Sequence, residues 1–263
     1  MDRKFYYYSR ETGLGLRYVR AVLRIWGALI VTIPLLLLYY FFSFVSHQQR
    51  NNIIRYWYAS MVWFSGLTIC CYGKPANVHL VSNHVTYLDI PVLGSLQDIR
   101  FVSKSEVASW PVIGYFARLA NTIFIERTNR HLKSYITHLT YEYSSSANIC
   151  IFPEGTSTDG KSIRPFKSSL FQAAINAAKN QNIFIQPVTL NYMNTSNLYG
   201  EREEVFSWVG NDPLLPHLWR VLKNKSGNVD VIYHKPLRVA DFENRKSLIT
   251  ANEEAVSSGI KRK

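Results

Sequence analysis

Residues 25–45 run for 21 positions without a charge, as IWGALIVTIPLLLLYYFFSFV. A helix rises about 1.5 Å per residue, so this run would span about 31 Å, the thickness of a bilayer core. Pro34 lies near its middle and is expected to bend it. A second uncharged run, residues 56–73, carries Trp57, Trp63 and several tyrosines, the residue types that collect at membrane interfaces. A cleaved signal peptide does not fit, because the apolar stretch is too long and no small-x-small site follows it. A buried helix of a soluble protein is the alternative. The reading adopted is a membrane-anchoring helical segment over residues 1–74, built from both runs.

Charge supports that reading. The chain of 263 residues has a formal charge of +12. Between Glu11 and Asp89 there is no acidic residue, and Arg17, Arg20, Arg24, Arg50, Arg55 and Lys74 supply half of the excess. Basic residues that flank apolar runs suit anionic lipid headgroups. They do not form the patch of a nucleic-acid binder, and no nucleic-acid fold signature is present. At 47% hydrophobic and 18% charged residues, the chain is too apolar to be disordered. Three cysteines, Cys70, Cys71 and Cys150, exclude a disulfide scaffold and fit a reducing compartment. No Cys/His cluster has zinc spacing.

From Lys74-Pro75 onward the composition is that of a soluble domain, taken as residues 75–263. Candidate strands lie at 79–82, 122–125, 148–152, 183–190 and 229–233. Candidate helices lie at 106–120, 130–146 and 168–179. This alternation predicts an α/β fold with a mixed, largely parallel sheet flanked by helices. The polar tail from Asp241 is expected to fray.

Three places carry chemistry rather than packing. In Ser82-Asn83-His84-Val85-Thr86-Tyr87-Leu88-Asp89 an apolar strand ends in Asn-His, and Asp follows His by five. On one straight helix that spacing separates the side chains by about 140°. They meet only if His84 lies in the turn after the strand and Asp89 in the first turn of a helix. Asp89 would then hold one imidazole nitrogen and leave the other free as a base. In Phe152-Pro153-Glu154-Gly155-Thr156 a strand runs into a turn that offers a carboxylate, a hydroxyl and a Gly that permits close backbone approach. In Ile123-Phe124-Ile125-Glu126-Arg127 a guanidinium follows an apolar strand, where it would grip a phosphate with two hydrogen bonds. Taken singly, each has an ordinary alternative: a structural His, a capped turn, a surface Arg.

Together they are specific. His-x4-Asp, Phe-Ile-x-Arg, Phe-Pro-Glu-Gly-Thr and then Gln186-Pro187-Val188 stand in one order, with Lys104-Ser105-Glu106 and Pro111-x-x-Gly114 between the first two. In these motifs, from about Val78 to Leu190, the chain resembles the glycerolipid acyltransferases. The best-known members are the 1-acylglycerol-3-phosphate (lysophosphatidic acid) acyltransferases. The resemblance implies His84 as general base and Asp89 as its orienting partner. It implies Arg127 on the acceptor's phosphate, joined by Glu154, Gly155 and Thr156, with Lys104 adding positive charge nearby. Pro187 and Val188 would belong to the acyl-chain region.

The implied reaction moves an acyl chain from acyl-carrier protein or acyl-CoA to lysophosphatidic acid, giving phosphatidic acid for phospholipid biosynthesis. No metal or redox cofactor is implied. Many family members carry Arg or Lys soon after Glu-Gly-Thr, where this chain reads Ser157-Thr158-Asp159-Gly160. Many carry Phe-Lys-x-Gly where it reads Phe166-Lys167-Ser168-Ser169. With Asp212-Pro213-Leu214-Leu215-Pro216-His217-Leu218-Trp219, these features are similar to a bacterial branch that includes lyso-ornithine-lipid acyltransferases. O-acylation of that lysolipid is the alternative reaction. A hydrolase using the same His/Asp pair, and a non-catalytic lipid carrier, are the rival classes.

The donor is cytosolic, so the catalytic domain is expected on the cytoplasmic face of the inner membrane. Six Lys/Arg precede Ile25 and favour a cytoplasmic N-terminus. A single crossing would strand the domain on the wrong side. Either both runs cross as a hairpin or both dip into one leaflet. The second is preferred, because the second run is short and rich in Trp and Tyr.

Overall fold

Successive residues of a strand face opposite sides, and the strands of this chain are apolar on both parities. They therefore need cover on both faces. The computed structural model describes residues 2–126, 132–195 and 205–260. It opens with two helices, α1 (Asp2–Ser43) and α2 (His47–Ser65). Then follow β1 (Leu67–Tyr72), β2 (His79–Ser82), α3 (Asp89–Leu96), β3 (Ile99–Lys104), α4 (Ile113–Leu119) and β4 (Ile123–Ile125). The second half holds α5 (Leu132–Tyr143), β5 (Asn148–Ile151), α6 (Ser168–Ala178) and β6 (Phe184–Asn194). It closes with α7 (Leu214–Lys223), β7 (Gly227–Tyr233), β8 (Leu237–Arg238) and α8 (Arg245–Gly259).

The strands form one mixed sheet in the order β1-β7-β6-β2-β5-β3-β4, with β8 also on β6. The block β6-β2-β5-β3-β4 is parallel, and β7 and β8 run antiparallel to β6. The alternation separates two cores. Val81, Val102, Ile149 and Ile151 face one, under α5, α6 and α8. Leu80, Phe101, Cys150, Val188 and Leu190 face the other, with Tyr58 and Val62 of α2 and Val92 and Leu93 of α3.

Pro187 sits inside a central strand, where a missing N–H normally breaks a ladder. Its carbonyl accepts the His234 N–H at 3.0 Å, so its ring nitrogen faces the same side, the gap between β7 and β8. The reciprocal donor that Pro187 lacks is replaced by the Gln186 side chain, whose Nε2 donates to the His234 carbonyl at 2.8 Å.

Four expectations need correction. The uncharged run 56–73 is divided: its first half ends α2, and its second half is β1, paired in parallel with β7. The helical part of residues 1–74 therefore ends at Ser65 rather than running to residue 74. Second, no continuous helix covers 106–120. A 3₁₀ turn (Ser105–Ser109) and α4 are separated at Trp110-Pro111-Val112. Pro111 lacks an N–H and drives Trp110 into extended backbone. Gly114 then packs on the turn so closely that a Cβ would lie 2.3 Å from the Ala108 carbonyl oxygen.

Third, the tail from Asp241 folds as far as residue 260, most of it as α8 (Arg245–Gly259). Asn244 and Ser247 form a reciprocal cap on α8, and Leu248, Asn252 and Val256 recur every four residues on its buried face. Fourth, the basic residues of the first helices do not all face outward. Arg24 donates to the carbonyls of Leu222, Asn224 and Lys225 at 3.0, 2.7 and 3.0 Å, and Arg20 to Lys223 at 2.9 Å. The carbonyls of Leu222 and Lys223 are among those that a helix end leaves unpaired, so α1 caps α7.

Among the described residues, one helix is long and apolar enough to cross a membrane, over Gly15–Ser43, and only 6% of its apolar window is buried. On its inner side, Trp57 of α2 donates to the Thr32 hydroxyl at 3.0 Å and stacks on Phe116 of α4 at 4.7 Å.

Candidate active site

Because β2, β5, β3 and β4 run parallel, their C-terminal ends share one edge of the sheet, the edge at which α/β folds bind ligands. His84 lies just past β2, and Asp89 opens α3. The turn between them brings His84 Nδ1 to 2.7 Å from Asp89 Oδ2. The same oxygen accepts the N–H groups of Val85 at 2.8 Å and Thr86 at 3.1 Å. A carboxylate at a helix N-terminus that takes two backbone donors is fixed before any substrate arrives. Asp89 is fully buried, whereas the His84 side chain keeps 19% of its surface exposed. Since the carboxylate only accepts, Nδ1 donates to it, and Nε2 is left with its lone pair. Phe152 stacks on the imidazole at 4.4 Å.

Glu154 stands below this turn and faces the backbone. Its Oε1 accepts the His84 N–H at 2.8 Å, and its Oε2 accepts the Arg164 N–H at 2.9 Å. Burial pushes its carboxyl above the usual range, while those two N–H groups and the nearby His84 pull it back. The other side of the His84 peptide is held too, its carbonyl accepting the Thr158 N–H at 2.8 Å. Gly155 has φ +75°, and a Cβ there would lie 2.5 Å from Lys167 Nζ. Thr156 is exposed on the turn. Lys104 ends β3 at the same edge, opposite Ile125, and is exposed. Arg127 lies outside the described residues. Pro187 and Val188 pair with Val81 and Ser82, one strand away from the turn. Among the described residues, no group of three or more His, Cys, Asp or Glu could hold a metal ion.

A sequence model of the Acyltransferase family matches residues 73–191, the span that holds this site. The chain is 40% identical over 199 residues to a lyso-ornithine lipid O-acyltransferase of Rhodobacter capsulatus, covering 74% of this chain and 71% of the relative. It belongs to the glycerolipid acyltransferase family. A lyso-ornithine lipid O-acyltransferase of Brucella abortus is 30% identical over 90% of this chain and 92% of its own. A 1-acyl-sn-glycerol-3-phosphate acyltransferase of Neisseria meningitidis is 31% identical over 72% and 73%. The crystal structure of the 1-acyl-sn-glycerophosphate (LPA) acyltransferase of Thermotoga maritima superposes with a TM-score of 0.66 over 93% of this chain and 96% of that one. At 18% identity it establishes the shared fold.

Several contacts of this candidate site were not legible in the sequence. Asn83 extends the β2–β6 ladder with its side chain, donating to the Leu190 carbonyl at 3.0 Å and accepting the Leu190 N–H at 2.8 Å. Tyr192 donates to Asp89 Oδ1 at 2.8 Å. The segment before and within α7 also braces the turn that carries His84. The Trp208 N–H donates to the Val85 carbonyl at 3.0 Å, and the Ser157 hydroxyl donates to the Trp208 carbonyl. His217 donates from Nε2 to the Ser207 carbonyl, so its Nδ1 accepts the Tyr87 hydroxyl, each at 3.0 Å. Asn83, Tyr87, Ser157 and His217 stand in the motifs quoted from the sequence, which do not show these contacts. The alternation of β6, which places Val188, Leu190 and Tyr192 on one face, was the signal for Tyr192.

Proposed function

We propose that this acyltransferase transfers an acyl chain from a thioester to the free hydroxyl of a lysolipid, with His84 as general base. The observation that carries the reading is the 2.7 Å contact between His84 Nδ1 and a buried Asp89 at the ligand-binding edge of the sheet. The acceptor hydroxyl is a poor nucleophile at neutral pH. His84 Nε2 takes its proton as the oxygen attacks the thioester carbonyl, and Asp89 stabilises the imidazolium. The tetrahedral intermediate collapses, the C–S bond breaks, and the thiolate takes the proton back from His84. The ester bond forms as the thioester bond is lost, so the site needs no nucleophile of its own. Cys150 fits this account, being fully buried, with burial keeping its thiol protonated.

For the acceptor we propose lyso-ornithine lipid rather than lysophosphatidic acid. The names of the Rhodobacter and Brucella relatives support this. So does the turn after Glu-Gly-Thr. Ser157 and Thr158 are buried and spend their side chains on the carbonyls of Trp208 and His84. Many family members carry a cation at that turn, which would suit a phosphate of nearly two charges. A lyso-ornithine headgroup carries a carboxylate and an amine, and asks less of it. The Neisseria relative keeps lysophosphatidic acid as the second reading.

The donor in this reading is acyl-carrier protein or acyl-CoA, and the enzyme sits on the cytoplasmic face of the membrane. The exposed apolar α1 supports insertion, and the packing of α2 against the domain favours dipping into one leaflet over a two-helix crossing. The test is mass spectrometry of products from purified protein given lyso-ornithine lipid or lysophosphatidic acid, each with acyl-CoA or acyl-carrier protein. Diacylated ornithine lipid should dominate. Faster phosphatidic acid formation would promote the second reading, and fatty acid release without acylated acceptor would make the protein a hydrolase.

A further inference from the structure

The two oxygens of Asp89 are served by different parts of the fold. Oδ2 takes its donors locally, from His84, Val85 and Thr86. Oδ1 takes the hydroxyl of Tyr192, which lies 103 residues further along the chain, on β6. Three donors on one oxygen fix that atom but leave the carboxylate plane free to turn, because the terminal torsion of an Asp is broad. A donor on the second oxygen fixes the plane.

We infer that Tyr192 is a positioning residue for acyl transfer, its hydroxyl locking the Asp89 carboxylate in the plane that meets the His84 imidazole. The inference rests on the reading of His84 as the base. Tyr192 is suited to the task because it only donates here: burial first, and the Asp89 charge second, raise its hydroxyl well above the ordinary range. The ring is held independently, packed against Phe206 with centroids 6.1 Å apart. Val188 and Leu190, the residues before it on the same face, are apolar and buried in the core. A hydroxyl on that face is therefore not required by packing.

Removing the hydroxyl should also have an electrostatic signature. Among the described residues, the titratable groups around Asp89 are His84, Cys150 of β5, Glu154 of the following turn, Tyr192, and Tyr87 ahead of α3. Cys150 stays protonated by burial, and burial likewise raises the Tyr87 hydroxyl. Of these groups, Tyr192 alone donates to Oδ1. Without that donor the carboxylate charge is less shared, and it stabilises the imidazolium more strongly. The acid limb of the rate profile then moves to higher pH.

The experiment compares wild type with Tyr192→Phe, Asp89→Asn and the double variant, with His84→Ala as reference. Tyr192→Phe keeps the ring and should keep the melting point. Its kcat should fall by about 5- to 30-fold, with both KM values changed by less than about twofold. The acid limb should rise by about half a unit. In the Asp89→Asn background the same change should cost less than about threefold, because no carboxylate charge is left to hold. If Tyr192→Phe has full kcat and an unmoved acid limb while His84→Ala is inactive, the inference about Tyr192 is wrong and the base reading stands. If Tyr192→Phe loses kcat equally in both backgrounds with the limb unmoved, Tyr192 is only structural and the inference is again wrong. An active His84→Ala enzyme overturns the base reading, and the inference with it.

Discussion

Glu154 accepts the backbone N–H of His84 at 2.8 Å, so the carboxylate of one motif holds the peptide of another. Its second oxygen accepts the Arg164 N–H at 2.9 Å, and the side chain is buried. The turn that carries His84 thus rests on a carboxylate with both oxygens already occupied by the protein. Glu154→Gln would turn an NH₂ group toward one of these two N–H donors. The expected result is a loss of about 1–3 kcal/mol in stability and at least about a tenfold loss in kcat. Thermal unfolding and steady-state kinetics in detergent check both. Full activity with an unchanged melting point would return Glu154 to a role in contacting substrate alone.

His84→Ala should lower turnover by at least about 10³ while the protein stays folded. Asp89→Asn should cost as much or less. Val85 and Thr86 direct their N–H groups at Oδ2, so the amide oxygen would take that position and still accept from Nδ1. The imidazole keeps its orientation and loses only the charge that stabilises its protonated form. Single-turnover rates on the preferred lysolipid measure this, and a His84→Ala enzyme with a tenth of wild-type activity ends the general-base account.

Acid should destabilise the domain through His79. Its ring is buried between strands, where Nδ1 accepts the Ile149 N–H at 3.2 Å, and burial lowers its pKa from 6.5 to about 4. The unfolded chain takes up this proton near pH 6.5 and the folded chain only near pH 4. Stability is therefore intact above about pH 6.5 and falls as the pH drops through that window, by on the order of 3 kcal/mol at most. His79→Gln, which retains an acceptor, should flatten this part of the dependence. Melting points at pH 7 and pH 4.5 for both proteins make the comparison, and parallel losses would assign the acid sensitivity to other groups.

Ile30 and Leu37 project from α1 with most of their surface exposed. The full-length protein should pellet with membranes in about 1 M salt and come off in detergent, since salt screens charge and leaves apolar burial intact. Ile30→Glu with Leu37→Glu should shift it to the supernatant, because each charged residue in a bilayer core costs about 2.5–3.5 kcal/mol. Circular dichroism should be unchanged. Deleting residues 1–74 is a poorer test, because it would strip β1 from its pairing with β7. If wild type washes off in salt, α1 is not an anchor.

Much of the site could be read from residues because its parts are local. His84 and Asp89 are five apart, and a turn entering a helix can join them whatever surrounds it. β2 stood where its apolar run ended at Asn83. β3, β1 and α7 were harder. β3 carries Arg100, whose charge is answered by Glu142 of α5, a pairing invisible along the chain. β1 lies in an uncharged aromatic stretch that suits a membrane as well as a sheet edge. Only pairing with β7, a strand more than 150 residues later, decides between them. α8 read as a polar tail because one face in four residues is enough to bury it.

The residues alone were sufficient for the long apolar helix, for most of the apolar strands and for a turn that joins His84 to Asp89, because each depends on short-range periodicity or spacing. The family was read from the resemblance of the motifs, and their order along the sheet edge, β2-β5-β3-β4, came from the fold. The fold alone decided what each group faces. It turned Glu154 onto the backbone of His84, Arg24 onto the end of α7, and Tyr192 onto Asp89. These contacts join positions 70, 200 and 103 residues apart. Hydrogen bonds act over about 3 Å, so the chain must first bury its two cores and close the sheet before such groups can find each other.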